Sequence, residues 1–229
     1  MFWEEDEDKT LPFEAPEDVI DLVFSIRCKN LPLNHAWPLS REIIDHLPWF
    51  DEIPIAGIHQ IHVAESNNGW MRPEDDEDAL LYPSRRTKMT LRIPIDKLEA
   101  TKELSGKILN IDGHILEVLN SKKKVFSNSS VIFSRYVLSD ANETENTFLT
   151  RISEELKNTV NFKVKKMLCG KSHTIKTPTG ILSTKHLMIA DLDSETSIKI
   201  QQQGIGNTKE LGCGIFVPHK GIKSLNAGE

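Results

Sequence analysis

The chain has 229 residues, a net charge of −6, 38% apolar residues and three cysteines. The apolar fraction is sufficient for a hydrophobic core, and no run approaches the roughly 18 consecutive apolar residues that a membrane span requires. Five of the first eight residues are acidic, where a secretory signal is basic, so we expect a cytoplasmic protein with no membrane association. No C-x-x-C pair is present, which disfavours a cysteine zinc site and a disulfide framework.

The charge is distributed unevenly along the chain. Residues 1–20 carry a net charge of −7 and residues 74–78 carry −5, which leaves +6 for the remaining 204 residues. We expect residues 1–16 to form a disordered acidic tail and residues 74–78 to form a solvated loop. Residues 157–190 hold seven lysines and no acidic residue, and a one-sign segment of that length favours a polyanionic partner.

The first half of the chain predicts strands and helices in the order β-α-β-β-α-β. The predicted elements are strand 20–26, helix 39–47, strands 57–63 and 88–93, helix 96–106, strand 108–111 and a further strand 115–119. The first strand alternates apolar and polar side chains, whereas apolar residues in the following helix recur at helical spacing. Asp96 and Glu99 form a capping-box sequence for the second helix, and strand 108–111 is expected to close the unit.

The second half repeats this order. The predicted elements are strand 131–138, helix 148–160, strands 162–175 and 181–191, helix 193–203 and strand 215–217. Residues 177–180, Thr-Pro-Thr-Gly, are a turn sequence that joins the two middle strands as a hairpin. The sequence therefore predicts an α+β protein with tandem ferredoxin-like units, an N-terminal domain at 17–124 and a C-terminal domain at 125–229. This fold alone leaves the function open.

A glycine-rich segment follows the last predicted helix. Two Gly-apolar-Gly triplets, Gly204 to Gly206 and Gly212 to Gly214, are separated by five residues, and we call residues 204–214 the glycine loop. A helix cap followed by a tight turn explains the first triplet but not all four glycines. Backbone without Cβ atoms can approach a ligand and present N–H groups to phosphate, with Lys209 adding positive charge. The spacing differs from those of a P-loop and a Rossmann loop.

The spacing G-h-G-x5-G-h-G resembles the signature loop of the RAMP superfamily of CRISPR-associated proteins. Residues 183–192 and 214–220 resemble the C-terminal half of its CRISPR repeat-RNA endoribonucleases, and residues 31–36 and 84–87 resemble their N-terminal half. The resemblance extends over residues 19–222. It implies cleavage of precursor CRISPR transcripts into guide RNAs without a metal or cofactor. In that reaction the 2′-OH attacks the adjacent phosphate, leaving 2′,3′-cyclic phosphate and 5′-OH ends.

The same resemblance implies a catalytic histidine just after the first strand, where His35 lies. Histidine can accept and donate protons near neutral pH, and a cation can stabilise the transition-state charge. Arg41 is the expected cation and Ser40 the residue that orients the base. His59 is the second candidate for general acid or base, ahead of His62. The alternative for His35 is a loop histidine that caps a helix.

RNA binding is predicted mainly from charge, because A-form stems are recognised largely through phosphates, 2′-OH groups and shape. The predicted RNA-binding residues are Arg85, Arg86, Lys163, Lys165, Lys166, Lys171, Lys176, Lys185, Gly204, Gly206, Lys209, Gly212, Gly214 and His219. His173 and His186 in the basic hairpin are also expected to contact RNA. With aromatic residues at 7%, base stacking is not expected to dominate binding.

Two other functions remain open from the residues. One is a non-catalytic RNA-binding RAMP subunit of a CRISPR interference complex. The other is a metal-dependent hydrolase that uses His59, His62 and a carboxylate, although a three-residue separation places these histidines on opposite faces of a straight strand. The expected partners are CRISPR repeat RNA and other effector-complex subunits, and the chain itself is expected to be a monomer or a dimer.

Overall fold

The computed structural model describes residues 15–63 and 79–219. The predicted acidic tail, apart from its last two residues, and the acidic loop at 74–78 lie outside the described residues. The first half contains strands β1 (Val19–Cys28), β2 (Leu31–Pro32), β3 (Gly57–His59), β4 (Leu80–Leu81), β5 (Lys88–Pro94), β6 (Ile108–Ile111) and β7 (His114–Lys124), and helices α1 (Ala36–His46) and α2 (Leu98–Lys102). The second half contains strands β8 (Val131–Ser139), β9 (Lys166–Thr177), β10 (Gly180–Ala190) and β11 (Val217–Pro218), and helices α3 (Glu145–Val160) and α4 (Ser194–Gln203).

The first unit is an antiparallel sheet of order β3-β5-β1-β7-β6. Alternate residues of β1, including Leu22 and Phe24, are fully buried in the core that also holds Leu39 and Ile43 of α1. Leaving out β6, the strand order is that of a ferredoxin-like unit. The predicted alternation of β1 is confirmed. Side chains on the opposite face of the strand, such as Val23 and Ser25, are partly exposed.

One prediction for the first unit is wrong. The strand that takes the fourth place beside β1 is the 11-residue β7, whereas residues 108–111, predicted to close the unit, form the edge strand β6. The hairpin between them turns at Asp112 and Gly113, whose φ angles of 52° and 82° suit this turn sequence, as expected. The apolar alternation locates both strands, but it does not determine which one pairs with β1.

The capping box predicted at Asp96 is also absent. Pro94 is in an extended conformation, and residues Ile95–Lys97 form a short 3₁₀ turn, so that α2 begins only at Leu98. Neither of these segments has a side-chain cap at its start. The helix is therefore five residues long, shorter than the predicted 96–106.

The second unit is an antiparallel sheet of order β11-β8-β10-β9, the order of a ferredoxin-like unit. Helices α3 and α4 cover one face, and Asp193 caps α4 by accepting a hydrogen bond from the N–H of Thr196, as predicted. Strand β9 begins at Lys166, so Lys163 and Lys165 lie in the connection before the hairpin and not on it. Two ferredoxin-like units in one chain confirm the predicted fold class.

Two clusters of buried apolar residues include side chains of both units. Ala36 at the start of α1 packs against Tyr136 and Ile175 on the second sheet. Val19 of β1 packs with Ile198 of α4. The first contact brings the N-terminal end of α1 onto the open face of the second sheet, where the candidate site lies. Among the described residues, no helix is long and apolar enough to cross a lipid bilayer.

Candidate functional site

His35 lies between β2 and α1, and only 2% of its surface is exposed. Its Nδ1 is 3.0 Å from the carbonyl oxygen of Pro32, and its Nε2 is 2.9 Å from the backbone nitrogen of Ile61. The N–H of Ile61 donates to Nε2, so the proton of the neutral ring is on Nδ1 and is donated to Pro32. Backbone groups therefore engage both ring nitrogens of His35, and the ring anchors the segment that leads to His62.

Ser40 and Arg41 both lie on α1, more than one turn beyond His35 at its start. Arg41 is half exposed, lies 3.6 Å from Asp45 one turn along α1, and has its guanidinium 6.0 Å from the centre of the Trp37 ring. Ser40 is buried within the helix packing. The ring nitrogens of His35 face Pro32 and Ile61, whereas the guanidinium of Arg41 faces Asp45 and Trp37.

His59 belongs to a buried ion-pair network at the other contact between the units. Its Nε2 is 3.3 Å from Asp21, which also accepts hydrogen bonds of 2.9 and 3.3 Å from Arg92. Arg92 donates a further bond to the carbonyl of Gln201 in α4. Burial by itself raises the pKa of Asp21, but the charges of Arg92 and His59 outweigh it and hold that pKa well below its usual range. His59 thus helps to tie the first sheet to α4.

The histidines of the metal-dependent alternative have different partners. His59 faces Asp21, whereas the ring of His62 stacks on Tyr136 with centroids 6.0 Å apart. Across residues 15–63 and 79–219, no group of three or more His, Cys, Asp or Glu side chains is arranged to hold a metal ion.

The glycine loop does not form the phosphate cradle that its spacing predicts. All four of its glycine N–H groups donate hydrogen bonds inside the protein, and Lys209, which is buried, donates to the carbonyl of Gly206 at 2.6 Å. The acceptors are the carbonyl of Ile200 for Gly204, Glu155 for Gly206, the carbonyl of Lys209 for Gly212 and the carbonyl of Tyr136 for Gly214. Burial also lowers the pKa of Lys209. The loop's donors and its cation are therefore already engaged.

The loop instead packs closely against the first unit. A Cβ at Gly212, where φ is 84°, would lie 2.8 Å from Cγ of Gln60 and 3.0 Å from the carbonyl oxygen of Ile58. Gln60 in turn donates a hydrogen bond of 3.0 Å to the carbonyl of Leu211. The glycine is required by close approach and by backbone conformation, so the loop joins the two units.

A cluster of six aromatic and imidazole rings occupies the open face of the second sheet. We call this the ring cluster, and its members are His62, Phe133, Tyr136, His173, His186 and His219. Neighbouring ring centroids are 4.6 to 6.1 Å apart. Its shortest contact joins His173 and His186, whose Nε2 atoms are 2.7 Å apart. Tyr136 also packs against Ala36, so the cluster lies beside the start of α1.

Charge and burial around the ring cluster keep His186 neutral. Burial lowers the pKa of His186 first, and the neighbouring His173, Arg135 and Lys171 lower it further, to about 4. Arg135 is half-buried, and burial lowers its pKa as well. The cluster therefore combines an uncharged His186 with two nearby cations, Arg135 and Lys171, which is a suitable environment for a phosphate.

The predicted RNA-binding cations are spread over several surfaces. Arg85 and Arg86 are exposed in the turn between β4 and β5, and Lys171 is exposed on β9. Lys166 is paired with Asp191 at 2.7 Å. The other cations of the set are the exposed Lys163 and Lys165 and the half-buried Lys176 and Lys185.

A groove of about 460 Å³ lies on the open face of the first sheet. It is lined by Val23, Ser25, Lys88 and residues 120–124, and we call it the basic groove. Lys122 is paired across strands with Val23, and Lys88 donates a hydrogen bond of 2.9 Å to Ser25. The basic triplet at 122–124 is visible in the sequence, but only the strand register shows that Lys88 lies beside it.

Comparison with known proteins identifies the family. A sequence model of the family described as Cas6 Crispr matches residues 20–221. The CRISPR-associated endonuclease Cas6 of Myxococcus xanthus (strain DK1622) is 26% identical over 202 residues, which cover 87% of this chain and 81% of that protein.

Solved structures share the fold. A Cas6-related protein from Pyrococcus furiosus superposes with a TM-score of 0.63 at 13% identity, covering 88% of this chain and 99% of that one. A RAMP protein described as binding different RNA substrates gives 0.61 at 14% identity, covering 86% and 98%. At these identities the similarity concerns the fold alone. Because the family match spans both ferredoxin-like units, the chain belongs to the Cas6 family of CRISPR-associated endonucleases.

Proposed function

We propose that this protein is a metal-independent endoribonuclease that binds CRISPR repeat RNA and cuts precursor CRISPR transcripts into guide RNAs. The observation that carries the proposal is the Cas6 family match over residues 20–221. The ring cluster supports it, because four histidines with Arg135 and Lys171 nearby provide the groups that metal-free RNA cleavage requires.

In the proposed reaction, a 2′-oxygen of the RNA attacks the adjacent phosphorus. The bond from phosphorus to O2′ forms and the bond to O5′ breaks, which leaves a 2′,3′-cyclic phosphate and a 5′-OH. One protein group accepts the 2′-OH proton and another donates a proton to O5′. Cations stabilise the pentavalent phosphate, so the chemistry requires no metal ion.

We propose that His35 positions the site and does not transfer protons itself. Its two backbone hydrogen bonds hold Pro32 and Ile61 together, and His62, the next residue, stacks on Tyr136 in the ring cluster. We assign a stabilising role to His59 through Asp21. Arg41, exposed on α1, and the buried Ser40 lie outside this arrangement.

We propose that the RNA backbone follows the exposed cations of both units. The basic groove offers Lys88, Lys122 and Lys124, and the second unit offers Lys163, Lys165, Lys166 and Lys171, with Arg85 and Arg86 at the end of the first sheet. Phosphate contacts of this kind are electrostatic and weaken with salt. The glycine loop contributes by joining the two units.

The test uses labelled repeat RNA from the CRISPR array of the source genome. Cleavage is expected to continue in excess EDTA, to give cyclic-phosphate ends, and to stop when the nucleotide 5′ of the cut carries 2′-deoxyribose. Loss of cleavage in EDTA with recovery on adding Mg²⁺ contradicts the mechanism, as does cleavage of the deoxy substrate. Binding without cleavage at any condition indicates a non-catalytic RNA-binding subunit instead.

A further inference from the structure

The closest polar contact in the ring cluster joins two imidazoles directly. Nε2 of His173 on β9 lies 2.7 Å from Nε2 of His186 on β10, with ring centroids 4.6 Å apart and planes tilted by 38°. This distance is that of a hydrogen bond, so one ring donates a proton to the other.

The strand register explains how the two rings meet. The pairing of β10 with both neighbours shifts between Lys185 and Leu187, so His186 faces an extra residue on β8 and on β9. Such a bulge changes the direction of a side chain relative to the flat sheet. On β9, His173 is the cross-strand partner of Thr184, two residues before His186 on β10. The bulge therefore lets rings that are not register partners form a hydrogen bond.

In its neutral form, a pair of this kind holds both an acceptor and a donor. Two neutral imidazoles carry two ring protons in total, and one of them lies in the Nε2–Nε2 hydrogen bond. The ring that donates this proton has a lone pair at its Nδ1, and the ring that accepts it has a proton at its Nδ1. Neutrality is maintained at His186 because burial, His173, Arg135 and Lys171 together lower its pKa to about 4.

Space beside His186 is kept open by a glycine. A Cβ at Gly170 would lie 3.0 Å from Cβ of His186 and 3.7 Å from its Nδ1. Gly170 is exposed on β9 and does not have a positive φ, so its backbone conformation does not require glycine. The effect of a larger residue here is therefore steric, since its Cβ would press on Cβ of His186.

We propose that His173 and His186 form the acid–base centre of RNA cleavage, acting as one unit through their shared proton. One Nδ1 accepts the 2′-OH proton while the other Nδ1 donates its proton to the departing O5′, and the shared proton moves from one Nε2 to the other. The bond from phosphorus to O2′ forms, the bond to O5′ breaks, and the pair returns to neutrality with its two roles exchanged. Arg135 and Lys171 stabilise the phosphate charge. This inference rests on the proposed endoribonuclease function.

The test replaces each histidine with a residue that keeps the hydrogen bond but cannot relay a proton. The amide of His173→Gln or His186→Gln can occupy the Nε2 position and preserve the contact between the strands. Single-turnover cleavage of repeat RNA is expected to fall ~10²-fold or more in each variant. Affinity for repeat RNA with a 2′-deoxy cut site is expected to be unchanged, because the lost function is proton transfer.

A matched control and a second variant complete the design. His46→Gln alters an exposed histidine at the end of α1 and is expected to cleave at the wild-type rate. Gly170→Ala removes no polar group and is expected to slow cleavage, through the narrowed approach to His186, without weakening RNA binding. Free imidazole is expected to restore part of the rate lost in His186→Ala.

The outcomes separate this inference from the proposed function. Wild-type protein that fails to cut repeat RNA overturns the proposed function. Wild-type cleavage together with a normal rate in a folded His173→Gln or His186→Gln variant overturns the acid–base assignment alone. Loss of RNA affinity with an unchanged rate at saturating protein also overturns it, because the pair would then be a binding surface.

Discussion

The two units hold histidine side chains in different surroundings. In the first unit, the ring of His35 is held by two backbone groups and that of His59 by the buried Asp21. In the second unit, His173 and His186 contact each other on a half-exposed sheet face. A histidine held by fixed backbone donors and acceptors contributes to stability, whereas a pair of rings allows a proton to move. Substitutions in the first unit should therefore change stability, and those in the ring cluster should change the rate.

The largest effect is expected from Asp21→Asn in the first unit. This change leaves the buried charge of Arg92 without its partner, and breaking a buried pair in this way costs about 3 to 5 kcal/mol. The measurement is urea unfolding at neutral pH. A loss below about 1 kcal/mol would show that the network is not a major source of stability.

The Asp21 carboxylate also makes the free energy of unfolding depend on pH, with less stabilisation at low pH. Because the folded-state pKa of Asp21 is lowered, its contribution is fully present above the ordinary carboxyl pKa of about 4 and is lost as the pH falls below it. Comparing unfolding free energies of wild type and Asp21→Asn from pH 7 to pH 3 isolates the contribution of the Asp21 carboxylate. The difference between the two proteins is expected to shrink toward pH 3, and a constant difference contradicts the assignment.

The next largest effect is expected in the second unit, where substitutions of His173 and His186 should lower the cleavage rate without changing stability. If His173 and His186 act as one centre, the double variant His173→Gln/His186→Gln should be no slower than the slower single variant, with a loss of ~10²-fold. Independent roles would instead multiply the two losses. The measurement is the single-turnover rate of all four proteins, with thermal unfolding as the control for folding.

A smaller loss of stability is expected from substitutions of His35 in the first unit. His35→Ala leaves the buried N–H of Ile61 and carbonyl of Pro32 without their partner and should cost roughly 2 kcal/mol. His35→Gln can restore one or both bonds and should recover part of that stability and most of the cleavage rate. A stable, RNA-binding His35→Gln protein that has lost cleavage would make His35 a catalytic residue and contradict the positioning role.

The fold follows from local patterns more completely than the site does. Alternating apolar residues and turn sequences predict both ferredoxin-like units, because these signals lie within a few neighbouring residues. The exchange of β6 and β7 escapes prediction, since pairing with β1 depends on contacts between distant segments. The early start predicted for β9 fails for a related reason, because Phe162 and Val164 pack against the core without belonging to the sheet.

The site depends on distant contacts at almost every step. His35 is close in sequence to α1, but its burial depends on Ile61, 26 residues later. His173 and His186 lie on strands whose pairing the turn sequence predicts, yet the bulge that turns the rings together leaves no mark in the alternation. The ring cluster can therefore be recognised only when the strand register is known. A low aromatic content of the whole chain does not exclude such a local group of rings.

The smallest expected effects come from the cations, and they compare the two units directly. The triple variant Lys88→Ala, Lys122→Ala and Lys124→Ala removes three of the four lysines that line the basic groove. The triple variant Lys163→Ala, Lys165→Ala and Lys166→Ala alters the second unit before and at the start of β9. Each phosphate contact releases counterions, so either triple should flatten the salt dependence of repeat-RNA affinity by up to ~2 log units per log unit of salt. Lys29→Ala, Lys102→Ala and Lys107→Ala, at exposed positions elsewhere, are the matched control.

The salt dependence of RNA affinity in the three triple variants shows which unit the RNA backbone contacts. Flattening in both test triples, with the control unchanged and circular dichroism unaltered, places the RNA backbone across both units. Flattening in the groove triple alone restricts it to the first unit. Lys166 is paired with Asp191, which already neutralises part of its charge, so its share of the second triple should be the smallest. A slope unchanged in both triples would remove these lysines from the RNA path and leave Arg85, Arg86 and Lys171 as its cations.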